Sequence, residues 1–143
     1  MHVTINRAIT YMLLIVFLVF YGSAVADAAS NSLNWYSFKE YATLRDSNDK
    51  KIFIHFWAQW CGYCHKMEKE TFRNPQVVSY LNENFFLIKV DTDRERYATR
   101  AFRVRGLPYN LFLTKEGDTI DVREGYISPG TFMKILKAIE ASY

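Results

Sequence analysis

The sequence predicts an α/β domain with a mixed central β-sheet flanked by helices on both faces. Two apolar runs rich in β-branched and aromatic residues, Ile52 to Trp57 and Phe85 to Val90, read as buried strands, and the stretch between them reads as helical. Lys115-Glu116-Gly117-Asp118 is a turn between two further strands, and Phe132, Ile135, Leu136 and Ile139 recur at helical spacing near the end. A β-α-β half joined to a β-hairpin and a closing helix needs both parallel and antiparallel pairing in one sheet.

In chain order, a polar linker runs to Asn34, and Ser37-Phe38-Lys39-Glu40 has the form of a capping box opening a helix to about Leu44. Trp35, Tyr36, Phe38 and Tyr41 are expected to pack that helix onto the sheet. After a loop at Asp46 to Asp49 comes a strand at 51–58, then a helix to about Phe72. Asn74-Pro75 is a cap followed by proline at the first helical position, with Val77, Val78 and Leu81 as the apolar face. Arg94 to Phe102 reads as a short polar helix, Tyr109 to Thr114 and Thr119 to Glu124 as the hairpin strands, and Ser128-Pro129 as the start of the last helix.

The first residues indicate export. Arg7 precedes an almost wholly apolar run, Ala8 to Tyr21, and Ala24-Val25-Ala26 is a small-x-small cleavage pattern. Residues 1–26 are expected to be a signal peptide, 27–34 a linker and 35–143 the functional domain; an uncleaved N-terminal membrane anchor is the alternative. Losing the leader removes Arg7 and no acidic residue, so the formal charge falls from +3 to +2. That is too small to make nucleic acid a main partner. The ending Glu140-Ala141-Ser142-Tyr143 is not an endoplasmic-reticulum retention signal. The expected location is therefore periplasmic, where disulfides persist. The chain beyond the leader, roughly 117 residues without repeat or low-complexity tract, suits one domain.

Both cysteines of the chain fall in Trp60-Cys61-Gly62-Tyr63-Cys64, directly after a predicted strand. Good helix formers come next, which puts Cys61 at a helix N-terminus, where free N–H groups and the helix dipole favour a thiolate. Cys64 lies about one turn further on, within reach of a disulfide. Cys61 is then the exposed attacking thiol and Cys64 the more buried thiol that resolves the mixed disulfide. A purely structural disulfide across so small a loop would stabilise little. Cys61, Cys64 and His65 could supply three zinc ligands, but no second Cys or His pair stands at finger spacing, and no metal is expected. Cys61 to His65 also satisfies the attachment pattern of a c-type haem; the strand-like run before it argues against haem, and no cofactor is expected.

The run Phe56-Trp57-Ala58-Gln59-Trp60-Cys61-Gly62-Tyr63-Cys64, with Gly106-Leu107-Pro108 further on, resembles the thioredoxin family, and so implies a thioredoxin fold. The stretch from His65 through Thr71-Phe72, Pro75 and Leu81 to Lys89-Val90-Asp91 is similar to exported thioredoxin-like proteins and to the C-terminal domain of the membrane thiol:disulfide interchange reductase. The resemblance implies Cys61 as nucleophile, Cys64 as resolving cysteine and Trp60 as the aromatic residue shielding the pair. It implies a cis-proline at Pro108 and backbone hydrogen bonds from Leu107 to a bound peptide. It also implies a disulfide reductase acting on exported proteins, with a membrane thiol:disulfide reductase as electron donor; a periplasmic oxidase or isomerase, or a redox-inert binding module, is the alternative. Two positions depart from the family. Gly62-Tyr63 replaces Gly-Pro between the cysteines, and His55 stands where typical members have a buried aspartate. Burial would keep His55 neutral and able to take a proton from Cys64. Finally, Arg94, Arg96, Arg100, Arg103 and Arg105 form a basic stretch before the proline loop, either a solvated face or a means of steering an acidic partner.

Overall fold

The computed structural model describes residues 11 and 32–142. The expected leader, apart from Tyr11, and the linker up to residue 31 lie outside the described residues. The elements are β1 (Trp35–Tyr36), α1 (Phe38–Leu44), a 3-10 turn (Arg45–Ser47), β2 (Lys51–Trp57), α2 (Gly62–Glu70), α3 (Pro75–Asn84), β3 (Phe85–Asp91), α4 (Arg96–Ala101), β4 (Tyr109–Leu113), β5 (Thr119–Glu124) and α5 (Pro129–Ser142). They form one five-stranded sheet in the order β1-β3-β2-β4-β5. β3 runs parallel to β1 and β2, whereas β4 is antiparallel to β2 and β5. This is the α/β, thioredoxin-fold arrangement the sequence predicts.

Alternation along the strands divides the core into two layers. Ile52, Ile54 and Phe56 pack with Ile88, Val90, Leu111 and Leu113 beneath Tyr41 of α1 and Ala98 of α4. On the other face Phe53, Leu87 and Phe112 meet Met67 of α2, Val77, Val78 and Leu81 of α3, and Phe132, Leu136 and Ile139 of α5. Phe53 sits at the centre of that layer, stacked on Phe112 at 4.8 Å and edge-on to Phe132 at 5.5 Å.

The local signals act as the physics requires. The Glu40 amide donates to Ser37 Oγ, and Glu40 Oε2 accepts from the Ser37 amide at 2.7 Å, closing the capping box. Replacing Ser37 by alanine should lower unfolding free energy by about 1 kcal/mol, read from urea denaturation; an unchanged midpoint would remove the cap from the account. At α3, Asn74 Oδ1 accepts from the amides of Gln76 and Val77, with Pro75 first in the helix. The helix expected to reach Phe72 ends at Glu70, because Thr71 turns inward and donates from Oγ1 to the Ile127 carbonyl.

The N-terminal stretch departs from the sequence reading. Trp35 and Tyr36 form an edge strand rather than serving α1 together, since adjacent strand residues face opposite sides of a sheet. Tyr36 stacks on Phe86 at 4.5 Å beside α1, while Trp35 packs on the other layer against Phe53 and Phe72. The end of the expected linker is also docked: Leu33 is buried, and Asn82 of α3 bonds both the Asn34 amide and the Ser32 carbonyl.

Candidate active site

The two cysteines lie where β2 gives way to α2. The chain leaves the sheet after Trp57, turns through Ala58 to Trp60, and starts the helix at Gly62 with Cys61 as N-cap. Cys61 and Cys64 are joined by a disulfide with their Cα atoms 5.3 Å apart. Cys61 Sγ accepts from the Cys64 amide at 3.2 Å, an N–H of the first turn that also reaches the Cys61 carbonyl at 3.1 Å. A thiolate released there would be held by the same donor and by the helix dipole. Cys64 is wholly buried and Cys61 is 5 % exposed, a smaller opening than the sequence reading expected but still a one-sided one. The burial comes from Ala58, Trp57 and Leu107 packed around the pair.

Leu107 brings the second half of the site. The Leu107–Pro108 peptide bond is cis, and Pro108 is buried at the entry to β4, which pairs with β2 through Phe56↔Tyr109. The proline loop is thereby held beside the cysteine turn. Trp60 and Tyr63 stand out from the surface, 71 % and 65 % exposed. Trp60 Nε1 donates to Asp93 at 3.0 Å, and Trp60 borders a cleft shared with Leu107. Gly62, the first helical residue, has open space where a side chain would project. His65 has its Nε2 2.8 Å from the Gln59 carbonyl oxygen and its ring edge-on to Trp57.

His55 lies on β2 within the layer shared by Trp35 and Phe72, its ring 4.9 Å from that of Phe72. Its Nδ1 is 2.8 Å from Asn110 Oδ1, and Asn110 Nδ2 donates to the Arg123 carbonyl. With the amide so oriented, Nδ1 carries the proton and Nε2 is left as a bare acceptor with no partner among the described residues. Burial pushes the His55 pKa down to about 3, opposed by the Asn110 hydrogen bond and aided by the Lys89 ammonium. The imidazole is neutral, as burial requires, and is also a far weaker base than a free one.

Two residues beside His55 escape a reading of the sequence. Asn110 is the register partner of His55, and its only signal is an amide inside the apolar strand Tyr109 to Leu113. Lys89 stands opposite His55 on β3, bonds Glu68 of α2 at 2.6 Å, and lies 4.5 Å from the Trp57 ring centroid. Neither residue belongs to a periodic pattern that would tie it to His55 along the chain.

A sheet of this order, with a cysteine pair opening the first helix after β2 and a proline loop against it, defines the thioredoxin class of fold. The family model described as "Thioredoxin-like domain" matches residues 38–140, and the chain belongs to that family. Among relatives, it is 30 % identical over 129 residues to the thiol:disulfide interchange protein DsbD of Photorhabdus laumondii, covering 80 % of this chain and 22 % of that one. It is also 30 % identical over 88 residues to a thioredoxin-like protein of Synechocystis, covering 62 % of this chain and 80 % of that one. The chain thus spans about a fifth of DsbD. Among solved structures, a thioredoxin from Thermus thermophilus superposes with a TM-score of 0.68 at 25 % identity, covering 76 % of this chain and 87 % of that one. A structure titled DsbH oxidoreductase superposes at 0.65 and 18 % identity over 79 % of this chain and 88 % of that one, a likeness of fold.

Proposed function

We propose that this protein is an exported thiol:disulfide oxidoreductase that reduces protein disulfides in the periplasm. The observation that carries the reading is the Cys61–Cys64 disulfide at the start of α2, with Cys64 wholly buried and Cys61 retaining a small opening of 5 %. In the reduced protein, the Cys61 thiolate attacks one sulfur of a substrate disulfide, forming a mixed disulfide and expelling the first substrate thiolate, which takes up a proton. Cys64 loses its proton and attacks Cys61 Sγ, and the second substrate thiol leaves. Two electrons have passed to the substrate, and the protein holds the Cys61–Cys64 disulfide. Leu107, ahead of Pro108, would offer its backbone to the substrate segment, and Trp60 would form the opposite wall. His55 is proposed as a neutral packing residue behind this chemistry.

The oxidised protein must then be reduced by a dithiol donor, for which a membrane thiol:disulfide reductase suits an oxidising compartment. Export rests on the leader-like residues 1–26, and similarity to part of DsbD supports the redox class. The deciding measurement is the reduction potential of the pair, read by equilibration in graded thiol buffers and alkylation with a mass tag. A value near the roughly −270 mV of thioredoxin is expected; one near the roughly −120 mV of a strong oxidant would overturn the reductive direction.

A further inference from the structure

We propose that the cleft beside the disulfide selects partner segments carrying acidic residues next to their cysteines, with Arg105 as the specificity-determining side chain. This rests on the exchange reaction proposed above and adds the chemical class of its partner.

The cleft encloses about 170 Å³ between Trp60, Thr99, Val104, Arg105 and Leu107. Leu107 also packs against the cluster of Ala58, Cys61 and Cys64, so a segment lying in this cleft would run close to the disulfide. Arg105 is the one charged residue among those lining it. The segment leading into it, residues 96–107, contains four arginines and no acidic residue. Arg96, Arg100, Arg103 and Arg105 are exposed, and among the described residues none has a carboxylate within ion-pair distance. Arg94 and Arg123, by contrast, are paired with Asp91 at 3.5 Å and Asp121 at 2.8 Å. Of the nearby carboxylates, Asp93 holds the Trp60 indole, and Glu124 lies against Gly106 without forming an ion pair with Arg105.

α4 ends with the Val104 amide on the Thr99 carbonyl and with Arg103 at φ 53°, the left-handed position that glycine fills most easily. The Arg105 guanidinium in a cleft shared with exposed Trp60 provides donors for a carboxylate and a flat face for the rest of an extended segment.

The test uses the reduced protein and three disulfide peptides, identical except for Glu, Gln or Lys beside the cysteines, with second-order rates of reduction as the readout. The Glu peptide should react at least ~10-fold faster than the Lys peptide in low salt, and the ratio should shrink towards unity in about 0.5 M NaCl. Arg105→Gln should narrow the ratio. Arg103→Gly should narrow it too while unfolding at no lower urea concentration, which separates loss of charge from loss of fold. Equal rates for the three peptides, or a ratio untouched by both variants, would overturn the charge preference and leave the exchange reaction standing. Failure to reduce any peptide would instead overturn the proposed function, and this inference with it. Equal peptide rates together with Arg105-dependent binding to phosphatidylglycerol vesicles would assign the arginines to a lipid surface.

Discussion

Cys64→Ser protein, reduced and mixed with a disulfide-bonded substrate, will accumulate a mixed disulfide through Cys61, whereas Cys61→Ser will form none and its turnover will fall to that of buffer alone. The asymmetry arises from the geometry of the turn. Cys61 Sγ lies next to the Cys64 amide in the first helical turn, and Cys61 retains a small exposed area. Cys64 is wholly enclosed by the packing around Ala58 and Leu107, so an incoming substrate sulfur reaches only Cys61. Serine at 64 removes the resolving thiol and leaves the first step intact, and the covalent complex persists. A non-reducing gel with mass spectrometry of the cross-linked peptide reads the result. Trapping through Cys64 in the Cys61→Ser protein would reverse the two roles.

The stability of the domain will fall steeply as pH is lowered from about 6.5 towards 3, and His55 will account for up to about 1.4 kcal/mol of that fall per pH unit. The unfolded chain binds a proton at His55 near the ordinary imidazole value, while the folded state holds that pKa down to about 3. Across the interval the unfolded state therefore carries the extra proton, and acid pulls the equilibrium towards it. The cause is the dry setting of the ring, between Trp35 and Phe72 with Nδ1 already committed to Asn110. His55→Leu removes the titrating group at similar volume, although it leaves Asn110 Oδ1 without its donor and lowers stability at pH 7. Its urea midpoint should nevertheless change less between pH 6.5 and 4 than that of the parent. Parallel curves for the two proteins would show that the imidazole is protonated in the fold. Exchange kinetics separate the base role from the packing role: with His55 as packing only, His55→Asn keeps the pH–rate profile, and a shifted profile would restore the histidine as proton acceptor.

Features that depend on near neighbours along the chain are readable from the residues alone. The capping box at Ser37, the Asn74-Pro75 helix start and the hairpin at Gly117 are local hydrogen-bonding and dihedral preferences, and each stands where its residues predict. The cysteine pair at the start of α2 is legible for the same reason: a strand, a short turn and a run of helix formers suffice to place Cys61 as N-cap. Features that depend on register between distant strands exist only once the chain has folded. Trp35 leaves α1 for the opposite layer because β1 pairs with β3, and the two faces of an edge strand cannot be assigned until that pairing exists. His55 acquires its tautomer from Asn110, 55 residues away, and its depressed pKa from burial between rings contributed by separate elements. Arg105 becomes part of a cleft because the proline loop is held beside the cysteine turn. Periodicity and capping are short-range and leave a trace in the sequence; burial, electrostatic environment and the shape of a cleft are sums over residues that meet only in the folded chain.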